Sequence, residues 1–166
     1  SGIASGRLAF DNVVYMSSSD GTVWSEANDI FALPPAAAGE SAATRPRLMV
    51  DSRNYLHASF TDNNHMYLSQ ACPDTAASAW GWESPKLMGG GEPVYYSDLR
   101  EDRQHLLHFI FTENVYSRNC PICYHLFYRQ SSDYGQTWSE ALDVSQNATG
   151  VARPQLVIDA RDVLHL

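Results

Sequence analysis

The residue types best suited to chemistry in this chain are a cysteine pair and a set of repeated histidines and aspartates. Cys120-Pro-Ile-Cys123 has the CxxC spacing of half a zinc site, a redox pair or a small disulfide. No second CxxC and no nearby His pair completes a zinc set, and a redox motif would want a thioredoxin-like βαβ context that is absent. The pair therefore reads as a loop disulfide or two free thiols, and with Cys72 the count is odd, so the chain cannot pair all its cysteines internally. His57, His108 and His165 each follow a leucine and invite a metal reading. A residue that recurs at the same place in every repeat is better explained by packing or hydrogen bonding, and three ligands would have to converge on one ion. No metal and no cofactor is expected. Asp51, Asp98 and Asp159 read as turn-capping residues, since an Asp carboxylate accepts hydrogen bonds from backbone N–H groups just ahead of it.

These residues sit in a repeat. Pro46 to Asp51 followed by Leu56-His57, Pro93 to Asp98 followed by Leu107-His108, and Pro154 to Asp159 followed by Leu164-His165 are three copies of one unit. The first and third have the same spacing. The middle copy carries four extra residues, which this alignment places in the turn between Asp98 and Leu107. Each complete copy goes on to an aromatic strand (His65 to Ser69, Tyr124 to Tyr128), and Val13 to Ser17 is the same element near the N-terminus. A Trp then opens the last strand, at Trp24, Trp82 and Trp138. Short runs of alternating apolar residues between turn residues predict strands. No amphipathic helix is evident, and the Ala-rich piece from Pro34 to Ala43, with two prolines and a Gly, reads as a loop. Four short antiparallel strands per repeat of about 40–50 residues predict an all-β chain of β-propeller blades.

The chain divides into an incomplete blade at 1–32, blades at 45–88 and 92–145, and the start of another at 153–166. That is about three blades, whereas propellers close with about four to eight. The expectation is a partial ring whose end strands pair elsewhere, with the remaining blades of the same protein or with a second copy. The length of 166 residues supports a sizeable core. A formal net charge of -8, with few and scattered basic residues, argues against nucleic acid as a partner. No apolar run approaches a membrane span. Asn147-Ala-Thr149 is a glycosylation sequon, relevant if the protein is secreted in a eukaryote.

One stretch is more specific. Ser131-Ser-Asp133-Tyr-Gly135-Gln-Thr137-Trp138 fits Ser-x-Asp-x-Gly-x-Thr-Trp at every fixed position. The Asp can accept backbone N–H groups, the Gly can take a positive φ, and the Trp can bury its rings while its N–H finds an acceptor. This pattern resembles the Asp-box (BNR repeat) of sialidase-like β-propellers, six-bladed when complete, in which the box is structural and lies away from the ligand face. Ser18-Ser-Asp20-Gly21 reads as a decayed box with its Asp one place late, and the turn before Trp82 has lost the Gly and Thr.

The resemblance implies that ligands meet the face carrying the loops after the second and fourth strands of each blade. The polar groups on those loops are Arg45, Arg47, Asp62, Glu113, Tyr116, Arg118 and Arg153, which become the candidate ligand-binding residues. Sialidases of this fold clamp a carboxylate with three arginines and use a Tyr nucleophile assisted by Glu, with an Asp acid/base. Their first arginine lies in Arg-Ile-Pro, whereas here Arg45 and Arg153 directly precede proline, so no catalytic residue carries over. The resemblance therefore implies a noncatalytic, extracellular module for binding a glycan or protein, or for assembly. The alternative is part of a sialidase-like glycoside hydrolase.

Overall fold

The computed structural model describes residues 11–33, 44–62, 64–116, 118, 120–145 and 150–166. The sequon, the Ala-rich loop and the first ten residues of the incomplete blade expected at 1–32 lie outside them. Among the described residues the chain is all-β apart from one 3-10 turn at Ala79–Gly81, and no helix is long and apolar enough to cross a membrane. Strands β1 (Asp11–Tyr15) and β2 (Asn28–Leu33) form an antiparallel pair. Strands β3 (Thr44–Val50), β4 (Leu56–Thr61), β5 (His65–Ala71) and β6 (Lys86–Gly90) form a four-stranded sheet in chain order. Strands β7 (Val94–Glu101), β8 (Leu107–Asn114), β9 (Tyr124–Ser131) and β10 (Leu142–Asp143) form a second, and β11 (Val157–Ile158) pairs with β12 (Leu164–His165). All pairings are antiparallel, so each sheet is a blade-like meander.

The sheets stack face to face in chain order, and the strand period of two explains how. Leu56 and Ala58 on β4 pack toward Tyr15 and Ile30 of the opening pair. The alternate residues look the other way: Ser59 Oγ meets Ser97 Oγ of β7 at 2.8 Å. On β8, Leu107, Phe109 and Phe111 meet Met66, Leu68 and Met88 of the first sheet, while Ile110 meets Leu156 beside β11. Central strands buried on both faces are why β4 and β8 are almost wholly sequestered. Their aromatic residues fill the space between sheets, as in the Phe31–Phe60 and Phe109–Trp138 pairs.

The turn after the first strand of each repeat recurs in atomic detail, and it corrects the alignment. Asp51 Oδ1 accepts from the N–H groups of Arg53 and Tyr55, and its Oδ2 accepts from His57. Asp159 does the same for Arg161, Val163 and His165. In the middle repeat the capping residue is Asp102, with Gln104, Leu106 and His108, and not Asp98. Asn54, His105 and Asp162 take the same left-handed φ of 61–66° in the three turns. The middle repeat therefore carries no insertion before its histidine: β7 has 8 residues against the 7 of β3, and the turn is unchanged. Asp98 instead accepts from the backbone N–H of Leu156 and pairs with Arg100, which ties two sheets together. The three Leu-His histidines are thus hydrogen-bonded to their own turn aspartates.

The turn at Ser131 to Trp138 carries the bonds its residue types predict. Ser131 Oγ bridges Asp133 and the Gly135 N–H, Asp133 accepts from the Thr137 backbone and hydroxyl, Gly135 has φ 84°, and Trp138 Nε1 donates to Gly135 O. The turn before Trp24 is the same cage. Ser18 bridges Asp20 and the Gly21 N–H, and Asp20 accepts from Thr22 and Val23. Its Ser-x-Asp spacing is intact, so this box is shortened by one residue after the Asp, contrary to the expectation of a displaced Asp. After each of the three tryptophans the next N–H donates back to the preceding strand, at Ser17, Gln70 and Gln130.

Hydrogen bonds to Thr137 hold the Asp133 carboxyl down to about 2. A carboxylate lowered by folding contributes stability that is complete above its unfolded value of 3.8 and is lost as pH falls toward 2. Asp133→Ala is expected to cost about 1–2 kcal/mol at neutral pH, less in acid, and to leave ligand binding intact. Urea titrations at pH 7 and pH 3 check this.

Candidate functional site

Counting back from each turn aspartate shows what the corrected alignment brings together. Arg45, Tyr96 and Arg153 each lie six residues before Asp51, Asp102 and Asp159, so they hold equivalent places in three neighbouring repeats, the first two on strands β3 and β7 and the third ahead of β11. Bulges between Thr44 and Arg47 and between Val94 and Ser97 re-aim this end of β3 and β7. Arg45 and Arg153 take φ of 56° and 54°, a left-handed conformation that costs a side-chain-bearing residue roughly 1 kcal/mol or more. Both guanidinium groups converge on one ring. Arg153 Nε donates to Tyr96 Oη at 3.4 Å, and Arg45 Cζ lies 5.0 Å from the centre of the Tyr96 ring and 4.5 Å from that of Tyr95. The hydrogen bonds of Arg153 and Arg45 lower the Tyr96 phenol below its ordinary value. Tyr124 closes the cluster edge-on to Tyr95 at 5.1 Å, and burial with the Tyr95 hydrogen bond pushes its phenol up to about 12.

The geometry can hold an anion. Two guanidiniums present planar donor forks that match carboxylate or phosphate oxygens, while the Tyr faces offer apolar surface beside them. Arg153 makes no ion pair among the described residues.

No protein-family model matches this chain, and no curated protein does.

Asp62 caps the turn after β4, accepting from the N–H groups of Asn64 and His65, and also binds the His65 ring and the Tyr67 hydroxyl. Glu113 holds the corresponding place in the next sheet but lies inside β8, paired with Val94 and His125, and not on a loop. It packs against Gly89 and Gly90, and burial raises its carboxyl. Tyr116 and Arg118 are exposed on the long connection after β8. That connection is closed by the Val115 N–H on Cys123 O and by the Cys120–Cys123 disulfide, which settles the CxxC pair; Cys72 is a free thiol. Arg47 lines a cleft between β3 and β7. Tyr95, Tyr96 and Tyr124 were not anticipated as site residues. The available signal was the constant distance from each Leu-His pair back to its turn aspartate, which aligns Tyr96 with the two arginines.

Proposed function

We propose that this chain is part of a sialidase-like, Asp-box β-propeller of the noncatalytic kind, which uses the Arg45–Tyr96–Arg153 row to bind the carboxylate of an acidic glycan or protein. The observation that carries the reading is two strained arginines from separate repeats aimed at one tyrosine. Backbone strain of this kind persists where the surrounding structure enforces it, and it clusters at ligand clamps. The Asp-box and its shortened copy at Asp20 support the propeller reading, and the disulfide suits a secreted or cell-surface protein. Further blades, from the same protein or a second copy, would complete the ring.

Titration with 3′-sialyllactose, with lactose as the uncharged control, tests the proposal. Sialyllactose is expected to bind and lactose not to bind. Arg45→Ala and Arg153→Ala are each expected to weaken binding at least roughly tenfold, the scale of one lost charged hydrogen bond. Equal binding of the two sugars, or full retention in both variants, would overturn it.

The lowered Tyr96 phenol favours a second reading, as part of a sialidase-like glycoside hydrolase, in which Tyr96 would be the nucleophile. Retaining hydrolysis needs a carboxyl partner about 5 Å away, across the scissile bond. Asp62 and Glu113 are engaged elsewhere. A fluorogenic sialoside is expected to remain unhydrolysed; turnover abolished by Tyr96→Phe would establish the hydrolase.

A further inference from the structure

We infer a second, separate ligand site in the cleft between β3 and β7, suited to a singly charged polyhydroxy acid such as a hexuronate. The cleft has a volume of about 240 Å³ and is lined by Pro46 to Met49, His57 and Asp98 to Arg100. A cavity of roughly 150 Å³ holds benzene, so this one has room for a six-membered sugar ring. His57 lies at its wall fully buried, with Nε2 on Asp51 Oδ2 and Nδ1 without a hydrogen-bond partner. Burial lowers the His57 pKa, so the ring is neutral. Because Asp51 is an acceptor, the proton sits on Nε2 and Nδ1 is left as an acceptor that requires a donor.

The remaining groups define the ligand's other end. The Arg47 guanidinium makes no ion pair or hydrogen bond among the described residues. Arg100 is already held by the Asp98 carboxylate at 2.8 Å and by Leu99 O at 2.7 Å. Two arginines against one aspartate leave one excess positive charge, carried by Arg47. A fitting ligand offers a carboxylate to Arg47 and a hydroxyl proton to His57 Nδ1. A simple anion lacks the second group and a neutral sugar lacks the first. The site stands whether or not the Arg45–Tyr96–Arg153 row binds anything, since it shares no residue with that row.

Amide and imidazole nitrogen NMR with D-glucuronate as probe, against acetate and D-glucose, tests the inference. Glucuronate is expected to shift the amides of Leu48, Leu99 and Arg100 and the His57 Nδ1 resonance, with binding at least roughly tenfold tighter than acetate or glucose. Arg47→Ala, at an exposed position, is expected to stay folded and lose the effect, whereas Arg45→Ala and Arg153→Ala keep it. The site is refuted if glucuronate leaves these resonances unmoved, if acetate binds as well, or if Arg47→Ala changes nothing. Shifts confined to Arg45, Tyr96 and Arg153 would assign the ligand to the row instead and equally refute this site.

Discussion

Replacing Asp51 with alanine is expected to cost about 3–4 kcal/mol, a large share of the stability of a domain this size. Its side chain is wholly buried and accepts from the Arg53 and Tyr55 N–H groups, the Arg53 guanidinium and His57. The substitution strips a neutral, buried His57 of the partner of its Nε2–H. It also frees two turn amides, which water can reach because the turn is exposed. The imidazole is the larger loss, because a buried donor left unsatisfied pays its full desolvation. Asp51→Asn keeps an acceptor for His57 and should lose roughly half as much. Urea unfolding measures both. The pair also sets an acid response. Burial holds His57 below its unfolded value of 6.5, so its contribution is complete above that pH and wanes as pH falls. Asp51 is held below 3.8, chiefly by His57 and the turn N–H groups against the cost of burial, and its contribution is lost below that value. Stability is therefore expected to decline in two stages on acidification, and Asp51→Ala to shrink the lower one, to which Asp102, Asp133 and Asp159 also contribute.

The same turn explains which parts of the fold were legible in the sequence. Strands, turns and the order of the sheets were readable because each Leu-His pair, each Trp and each residue of the Ser131-to-Trp138 turn serves a local hydrogen bond or a two-sided strand. Local chemistry leaves local spacing. The middle repeat was misaligned because Pro93 and Asp98 reproduce the Pro-to-Asp interval by coincidence. What defines the turn is the carboxylate's reach to its own histidine, and that interval is constant in all three copies: Asp51 to His57, Asp102 to His108 and Asp159 to His165. The turn at Ser18 departs from its expected form for a related reason. Its Ser-x-Asp pair forms the cage, whereas the pattern was anchored on the distance from Asp to Trp.

The site was only partly legible. Arg45 and Arg153 were identifiable as polar groups at the ends of the loops that join one repeat to the next. Tyr96 was not, because the coincidental Pro93-to-Asp98 interval hid its equivalence with them, and because a bulge rather than the strand period decides where that end of the strand points. Glu113 and Asp62 occupy matching places in sequence but part company in structure. β8 continues its pairing with β9 as far as Asn114, while β4 stops at Thr61 and leaves Asp62 to cap a turn. The cleft at Arg47 and His57 lies between sheets, and no pattern within one repeat reports on the gap between two.

The interface between the two four-stranded sheets yields the other large effect. Gly89 lies on β6 opposite Met66, and a methyl group there would stand 2.3 Å from Phe111 Cε2 and 3.0 Å from Glu113 Oε2. Phe111 cannot retreat easily, since it is buried and stacked on both Phe109 and Phe127. Gly89→Ala is therefore expected to cost about 3 kcal/mol or more, at or beyond the upper end for overpacking a core. Gly91→Ala, with φ 116° but no atom near the added methyl, tests backbone strain alone and should cost about 1 kcal/mol. Phe111→Leu should cost about 1–2 kcal/mol by itself, and in the double variant it gives the Gly89→Ala methyl room. If the damage is steric, the double variant will be more stable than the two single losses added together, by an interaction of about 1–2 kcal/mol in a denaturation cycle. Additive losses would place the fault in the β6 backbone and not in the contact between sheets.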